Sequence, residues 1–386
     1  MTRRRTYDVI VVGAGSIGTP AAWSIARSGL SVLVLERLAS PGQGSNKAAI
    51  GGIRATHSEP SKIRICLRSL EIASTWQETY GDDIEWRTGG YSFVAHAERE
   101  REMLKGLIAS QQRSGLDIDW YEADELLARI PVLNPSDLLG GTFSPGDGFC
   151  SPLLLGHAMY EQAKSAGAEF RFGDTVTSIA VEKGRVRGVV TESGRFDSPM
   201  VVNAAGAWAG EIGCMIGLDH PITPDSHEGG VTEPVARFLG PMVVDIRPSE
   251  AAANCYFFQL ETGQILFSLT PKPLNPGHDC RSTSEFLPTV SRRMIALVPR
   301  LANLRVRRIW RGLYPMSPDG APLVGWSREI DGYFMAIGMC GHGFMLGPGL
   351  GEVIDRVVRD DCTEDDRMIL EGLSPDRSFE GQAALK

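Results

Sequence analysis

Near its amino end the chain reads YDVIVVGAGSIG, with glycines at 13, 15 and 18 directly behind an apolar run. Glycines at this spacing cradle a pyrophosphate. Gly13 permits a tight turn, Gly15 lets backbone approach the phosphates, and Gly18 lets the next helix pack against the strand. Ser16 and Ile17 complete the turn, and Glu36 ends the following apolar run, SVLVLE. A carboxylate there accepts hydrogen bonds from the hydroxyls of an adenosine ribose. A second stretch, GMCGHGFMLGPG at 338–349, sets one imidazole, His342, among five glycines. It stands between the strand-like YFMAI and GEVIDRVV, which reads as a helix, so backbone amides and a helix amino end can face developing negative charge. The glycine turn and Glu36 suit a dinucleotide, and neither stretch suggests an acid–base pair.

Other chemistries are poorly provided for. The seven cysteines include no C-x-x-C pair, and the seven histidines show neither H-x-x-x-H nor H-E-x-x-H spacing. No disulfide framework and no metal site is expected. A net charge of −8 with no basic stripe beyond the RRR at 3–5, read as a solvated tail, argues against nucleic-acid binding. No apolar run reaches the ~18 residues of a membrane span, and the arginines lead into a strand and glycine turn, so a cytoplasmic location is expected.

The elements that must position this chemistry follow from periodicity. DVIVVG and SVLVLE read as buried parallel strands flanking the helix TPAAWSIARSG. Residues 42–57, GQGSNKAAIGGIRATH, are too small to build core and suit a backbone lying along an extended ligand. Helices are expected over 60–80, ending at Gly81, over 98–115, and over 152–166. Pro131, Pro135, Pro145 and the glycines at 140–148 mark a crossing between lobes. An alternating meander runs from 169 and closes on the apolar MVVN, while 221–309 is rich in strands, two of them about the ETG turn at 261–263. With 386 residues, 42% of them hydrophobic, two domains are affordable. The expected division is 1–88, 141–220 and 310–386 for the dinucleotide domain, and 89–140 with 221–309 for the other.

The glycine motif alone does not separate NAD from FAD. VVGAGSIGTPAAWSIARSGLSVLVLE followed by GSNKAAIGGIR, and WRGLYPMSPDGAPLVGW with GMCGHGFMLGPG near the carboxyl end, resemble the D-amino acid oxidase superfamily of FAD enzymes. The likeness is to its sarcosine oxidase, glycine oxidase and proline dehydrogenase branch. It implies an α/β fold, a Rossmann-type FAD-binding domain of the glutathione-reductase-like kind with a second α+β substrate domain built on an antiparallel sheet. It also implies non-covalent FAD held by the glycine turn, Glu36, Arg37, Gly44, Ser45, Asn46, Gly52, Val176, Ala205, Gly206, Trp208, Gly312, Gly341, His342, Gly343, Phe344 and Met345. His342 is expected to support that cradle.

The resemblance further implies hydride transfer from the carbon beside an amine nitrogen to the flavin, the imine then being hydrolysed. A secondary or N-substituted amino acid (an N-alkylglycine, glycine or a proline-like imino acid) is the expected substrate. O2 or another electron acceptor completes the cycle, with or without a partner subunit. Arg54 matches a carboxylate-binding arginine, His57 is a candidate for the same cavity, and Tyr256, Tyr314 and Met345 match pocket positions. The chain departs from the pattern where relatives carry an arginine (here Tyr314), a carboxylate-binding lysine (Met345), a flavin-linking cysteine (Gly312) and an oxygen-activating lysine (near Leu266). Two other readings use the same fold: a dehydrogenase of 2-hydroxy acids or glycerol phosphate with His57 or His342 as base, and a FAD-binding electron-transfer subunit.

Overall fold

The computed structural model describes residues 5–379. Its first large sheet has parallel strands in the order Glu169–Phe172, Val32–Glu36, Val9–Val12, Met200–Asn203 and Tyr333–Ile337, with Leu323–Trp326 antiparallel at the far edge. A parallel sheet is covered on both faces, which is why VIVV and YFMAI are apolar throughout and fully buried. Val9, Val11, Val32 and Val34 pack with helices Gly18–Arg27, Pro60–Ser74, Pro152–Ser165 and Gly343–Val358. Ile10, Val12, Leu33 and Leu35 point the other way, onto the meander Val176–Glu182, Arg185–Thr191 and Gly194–Asp197. Because the strands are parallel, the glycine turn, Glu36, Ala204 and the loop after Ile337 all emerge at one edge of the sheet, where such folds bind ligands.

The second large sheet is ordered Val306–Met316, Thr223–Thr232, Ile265–Pro271, Ala252–Gln259, Met242–Asp245, Tyr91–Ala95, Gly140–Ser144 and Asp119–Glu122. All its pairings are antiparallel except that of Met242–Asp245 with Tyr91–Ala95. Its register sorts side chains cleanly. Val243, Phe257 and Phe267 form one row that packs under helix Phe286–Leu297. Val244, Tyr256 and Ser268 form the neighbouring row and line the cavity. A slip of one residue in any of these strands would exchange the two rows, so the apolar demand of the helix fixes what the cavity sees.

Several expectations change. Glu169–Phe172 is not part of the meander but the outermost parallel strand, where Phe170 and Phe172 pack on the Tyr160 ring at 4.8 and 5.7 Å. The boundaries drawn at 141 and 310 fall inside strands: Gly140–Ser144 and Val306–Met316 both belong to the second sheet, the latter paired along Thr223–Thr232 from end to end. The last long helix begins at Gly343, well before GEVIDRVV, and carries Pro348 inside it. Arg3 and Arg4 of the basic run lie outside the described residues, whereas Arg5 starts a short strand beside Phe196 and pairs with Glu169 at 2.9 Å.

A Cβ added at Gly18 would stand 1.9 Å from the Gly13 carbonyl oxygen, while one at Gly15 meets nothing within 4 Å. Gly18→Ala is therefore expected to destabilise the cofactor-free protein by ~2 kcal/mol or more, and Gly15→Ala to melt with the parent protein, both read by thermal denaturation.

Candidate active site

One long cavity runs between the two sheets, leaving about 290 Å³ to the centres of water-sized molecules. A single water needs only ~10–15 Å³ by that measure, so the space suits a large ligand. At one end the Glu36 carboxylate is fixed by the amides of Ala14 and Leu38, both at 2.9 Å, and faces the cavity beside Asp174 and Val176. Arg37 stacks on the Trp208 ring at 3.7 Å, and His278, from the second sheet's long loop, stacks on that ring at 5.1 Å. Asn46 is held by donating to the Pro152 carbonyl at 3.1 Å. Gly44, Ser45, Gly52, Ala205 and Gly206 complete this trough.

Further along, the loop after Ile337 turns into helix Gly343–Val358. Gly341 has φ 86°, and a Cβ there would sit 1.9 Å from the Tyr314 ring, so this position tolerates only glycine. Cys340 holds the unusual φ of 49°, its Sγ accepting from the Ser317 amide at 3.3 Å. His342, Gly343, Phe344 and Met345 all face the cavity. An extended dinucleotide therefore fits the residues present: a carboxylate at the ribose end, an open glycine turn, and a helix amino end beyond it.

The far end is built on Arg54, only 5% exposed. Its Nη1 donates to the Thr56 carbonyl and approaches His57 Nδ1 at 3.3 Å, and its guanidinium lies 5.3 Å from the Phe93 ring centre. The buried Asp147 carboxylate serves the same segment, accepting from the Ala55 amide at 2.9 Å and the Thr56 hydroxyl at 2.8 Å. Burial pushes Asp147 up to about 6 against the pull of those donors, so it is ionised at neutral pH. Tyr256 and Tyr314 join hydroxyls at 3.3 Å, and burial, with Tyr256 adding to it, keeps Tyr314 protonated. Met345 adds apolar wall.

Of the residues expected at the site, all line the cavity except Gly18 and His57. Gly18 acts through packing, as its contact with Gly13 shows. His57 is a correction: it is fully buried behind Arg54, with its ring edge-on to His342 at 5.0 Å. Leu266, near which the resemblance would put an oxygen-activating lysine, packs against the cluster of Phe149 and Phe258 and is not on the cavity wall.

Sequence reasoning missed three features. His227 stacks on Tyr314 at 3.8 Å and bonds Asp225 at 3.0 Å through Nε2. Tyr91 puts its hydroxyl against Gly52, where a Cβ would be 2.0 Å away. Lys62 is fully buried with Glu59 at 2.6 Å as its counter-ion. The only signal for the first pair was the D-x-H alternation at 225–227, whose meaning depends on which strand lies alongside.

The site's geometry can be set beside known proteins. The model of the DAO family, FAD dependent oxidoreductase, matches residues 8–356. A glycine oxidase of Bacillus licheniformis is 28% identical over 91% of this chain and 92% of its own length. Hydrogen cyanide synthase subunit HcnC of Pseudomonas aeruginosa is 25% identical over 92% and 93%. The crystal structure of L-proline dehydrogenase from P. horikoshii superposes with a TM-score of 0.89 at 29% identity, covering 96% of this chain and 97% of that one. Among the described residues no helix is long and apolar enough to cross a membrane.

The buried imidazoles give stability a pH dependence. Burial lowers the pKa of His57, His96, His220 and His227 from the usual 6.5. Each then binds protons more readily unfolded than folded, so stability is complete above pH 6.5 and falls as pH drops toward the folded values. Asp147, raised by burial, acts in the opposite sense between 3.8 and about 6, one group against four. Urea denaturation should show a lower midpoint at pH 5.5 than at 7.5, and a midpoint that rises on acidification would contradict this balance.

Proposed function

Because the chain belongs to the DAO family of FAD-dependent oxidoreductases, we propose that it oxidises the carbon–nitrogen bond of a secondary or N-substituted amino acid, such as an N-alkylglycine or a proline-like imino acid. The observation that carries this reading is Arg54, a buried cation on the cavity wall whose partners are a carbonyl and an imidazole nitrogen. Its charge is left for an anionic ligand, and a guanidinium meets a carboxylate through two parallel hydrogen bonds. The names of the relatives, a glycine oxidase and an L-proline dehydrogenase, support an amino acid as that ligand.

Bound FAD supplies the two-electron acceptor that no side chain can be. Glu36, Ser45, Asn46 and the glycine turn would hold its adenosine and pyrophosphate, and the loop 338–343 its ring system. The chain's own work is to bind, orient and dry the substrate. Arg54 anchors the carboxylate, while Phe93, Met242, Val244 and Met345 offer apolar surface to a substituent on nitrogen. Tyr314, kept protonated by burial, and Tyr256 offer their hydroxyls as polar contacts. The buried acids are engaged, Asp147 by Ala55 and Thr56, Asp225 by His227 and the Asn275 amide, and Glu228, on the cavity wall, by the Thr283 amide and hydroxyl, so none of the three favours an ammonium. A dry site with no acid to spare favours the neutral amine. Oxidation converts the C–N bond to C=N, and water then divides the imine into a carbonyl compound and an amine.

Arg54→Ala should raise KM for a carboxylate-bearing amine by about tenfold to hundredfold, the worth of hydrogen bonds to a charged group, and leave the flavin spectrum unchanged. An unaltered KM would refute the assignment. A Cβ at Gly312 would lie 2.4 Å from that of Ala48, so the position where the resemblance would put a flavin-linking cysteine has neither a nucleophile nor space for one. Acid precipitation should therefore leave all the yellow colour in the supernatant, and a coloured pellet would point to a covalent link elsewhere, Cys340 being the thiol on the cavity wall.

A further inference from the structure

We infer that His57 is a positioning residue: a one-way chain of hydrogen bonds, Arg54 to His57 to Cys66 to the Met345 carbonyl, holds the carboxylate-binding guanidinium in register with the cavity residue Met345. The inference rests on Arg54 being the carboxylate clamp.

The direction of the chain follows from donor chemistry. Arg54 Nη1 is 3.3 Å from His57 Nδ1. A guanidinium has only donors, so Nδ1 must be bare and accept, and a neutral imidazole then carries its proton on Nε2. That nitrogen is 3.5 Å from Cys66 Sγ, which accepts it. The thiol proton is left for the Met345 carbonyl, 3.8 Å from Sγ. His57 and Cys66 each accept once and donate once, and neither has to change protonation.

The surroundings keep it so. The His57 carbonyl accepts from buried Gln111 at 3.0 Å, and its amide donates to Ala55 at 2.8 Å, so the backbone that carries the ring is held in place. The titratable and charged groups about it are Arg54, Lys62 with its Glu59, His342, Cys66 and Asp147. Burial first, then the neighbouring cations, press the imidazole pKa well down, and burial lifts the Cys66 thiol to about 12. The neutral ring and the intact thiol that the chain requires are thus the forms present at neutral pH. An imidazolium would turn a proton on Nδ1 toward the guanidinium and break the first link.

Cys66 lies on helix Pro60–Ser74, which packs against helix Gly343–Val358, where Met345 stands in the first turn. Two cavity residues far apart in sequence are therefore tied through one buried ring. That is why His57 shows no face to the ligand yet bears on where the carboxylate sits.

The test uses the FAD-loaded protein and acetate as the probe, its binding read from perturbation of the flavin absorption spectrum. His57→Leu removes the acceptor for Arg54, and His57→Asn returns an oxygen near the place of Nδ1. His57→Leu should weaken acetate binding by about tenfold, the worth of one hydrogen bond to a charged group, and raise KM for the amino acid far more than it lowers kcat. His57→Asn should recover most of that loss. Acetate bound equally well by His57→Leu and the parent, or no recovery with His57→Asn, would overturn the inference. Should His57→Leu fail to fold, Cys66→Ala breaks the next link and should weaken acetate measurably; parental affinity there overturns it too. Arg54→Ala, run in parallel, separates the two claims. If it loses acetate while His57→Leu does not, the relay alone falls, and if it keeps acetate, the clamp and the relay fall together.

Discussion

A guanidinium removed from water without a hydrogen-bonded carboxylate costs several kcal/mol, and Arg54 is such a group. Its neighbours offset part of that cost with neutral acceptors, the Thr56 carbonyl and the His57 ring. Asp147 adds a buried negative charge nearby while spending its hydrogen bonds on the backbone and hydroxyl of residues 55 and 56. The charge is thus tolerated without being quenched. On the proposed reading an arriving carboxylate would complete what the fold leaves incomplete, converting a cost in the free protein into affinity for one class of ligand.

Two larger constraints put that cation where it matters. The parallel sheet delivers its carboxyl-end loops to one edge, so the glycine turn, Glu36 and the loop 338–343 line the same trough. The antiparallel sheet roofs it with a row of side chains chosen by register, the opposite row being claimed by helix Phe286–Leu297. The two meet most tightly at Tyr314, whose ring lies where any side chain at residue 341 would have to go. Glycine at 341 is therefore a consequence of the roof as much as of the loop.

What could be read from the sequence was what is local. Strand, glycine turn, helix and terminal acid lie within residues 8–36, and each is specified by its immediate neighbours, so Gly13, Gly15 and Glu36 reach the cavity wall through local structure alone. Tyr256, Tyr314 and Met345 were found through resemblance, not through any local pattern. His57 was misplaced because a spacing of three residues from Arg54 does not reveal that the chain bends the ring behind the guanidinium and not beside it. The Asp225–His227 pair escaped notice because alternation on one strand acquires meaning only from the strand beside it, here the one carrying Gly312 and Tyr314. The same holds for Glu169–Phe172: a short alternating segment does not say which sheet it joins.

The central claim, that this flavoprotein dehydrogenates an amine whose carboxylate is held by Arg54, meets its most direct test in an anaerobic titration of the FAD-loaded protein followed by flavin absorbance. Bleaching is expected with an N-alkylglycine or a proline-like imino acid, and none with the corresponding amine lacking the carboxylate at the same concentration. Bleaching by 2-hydroxy acids alone, or by no amino acid at all, would contradict it.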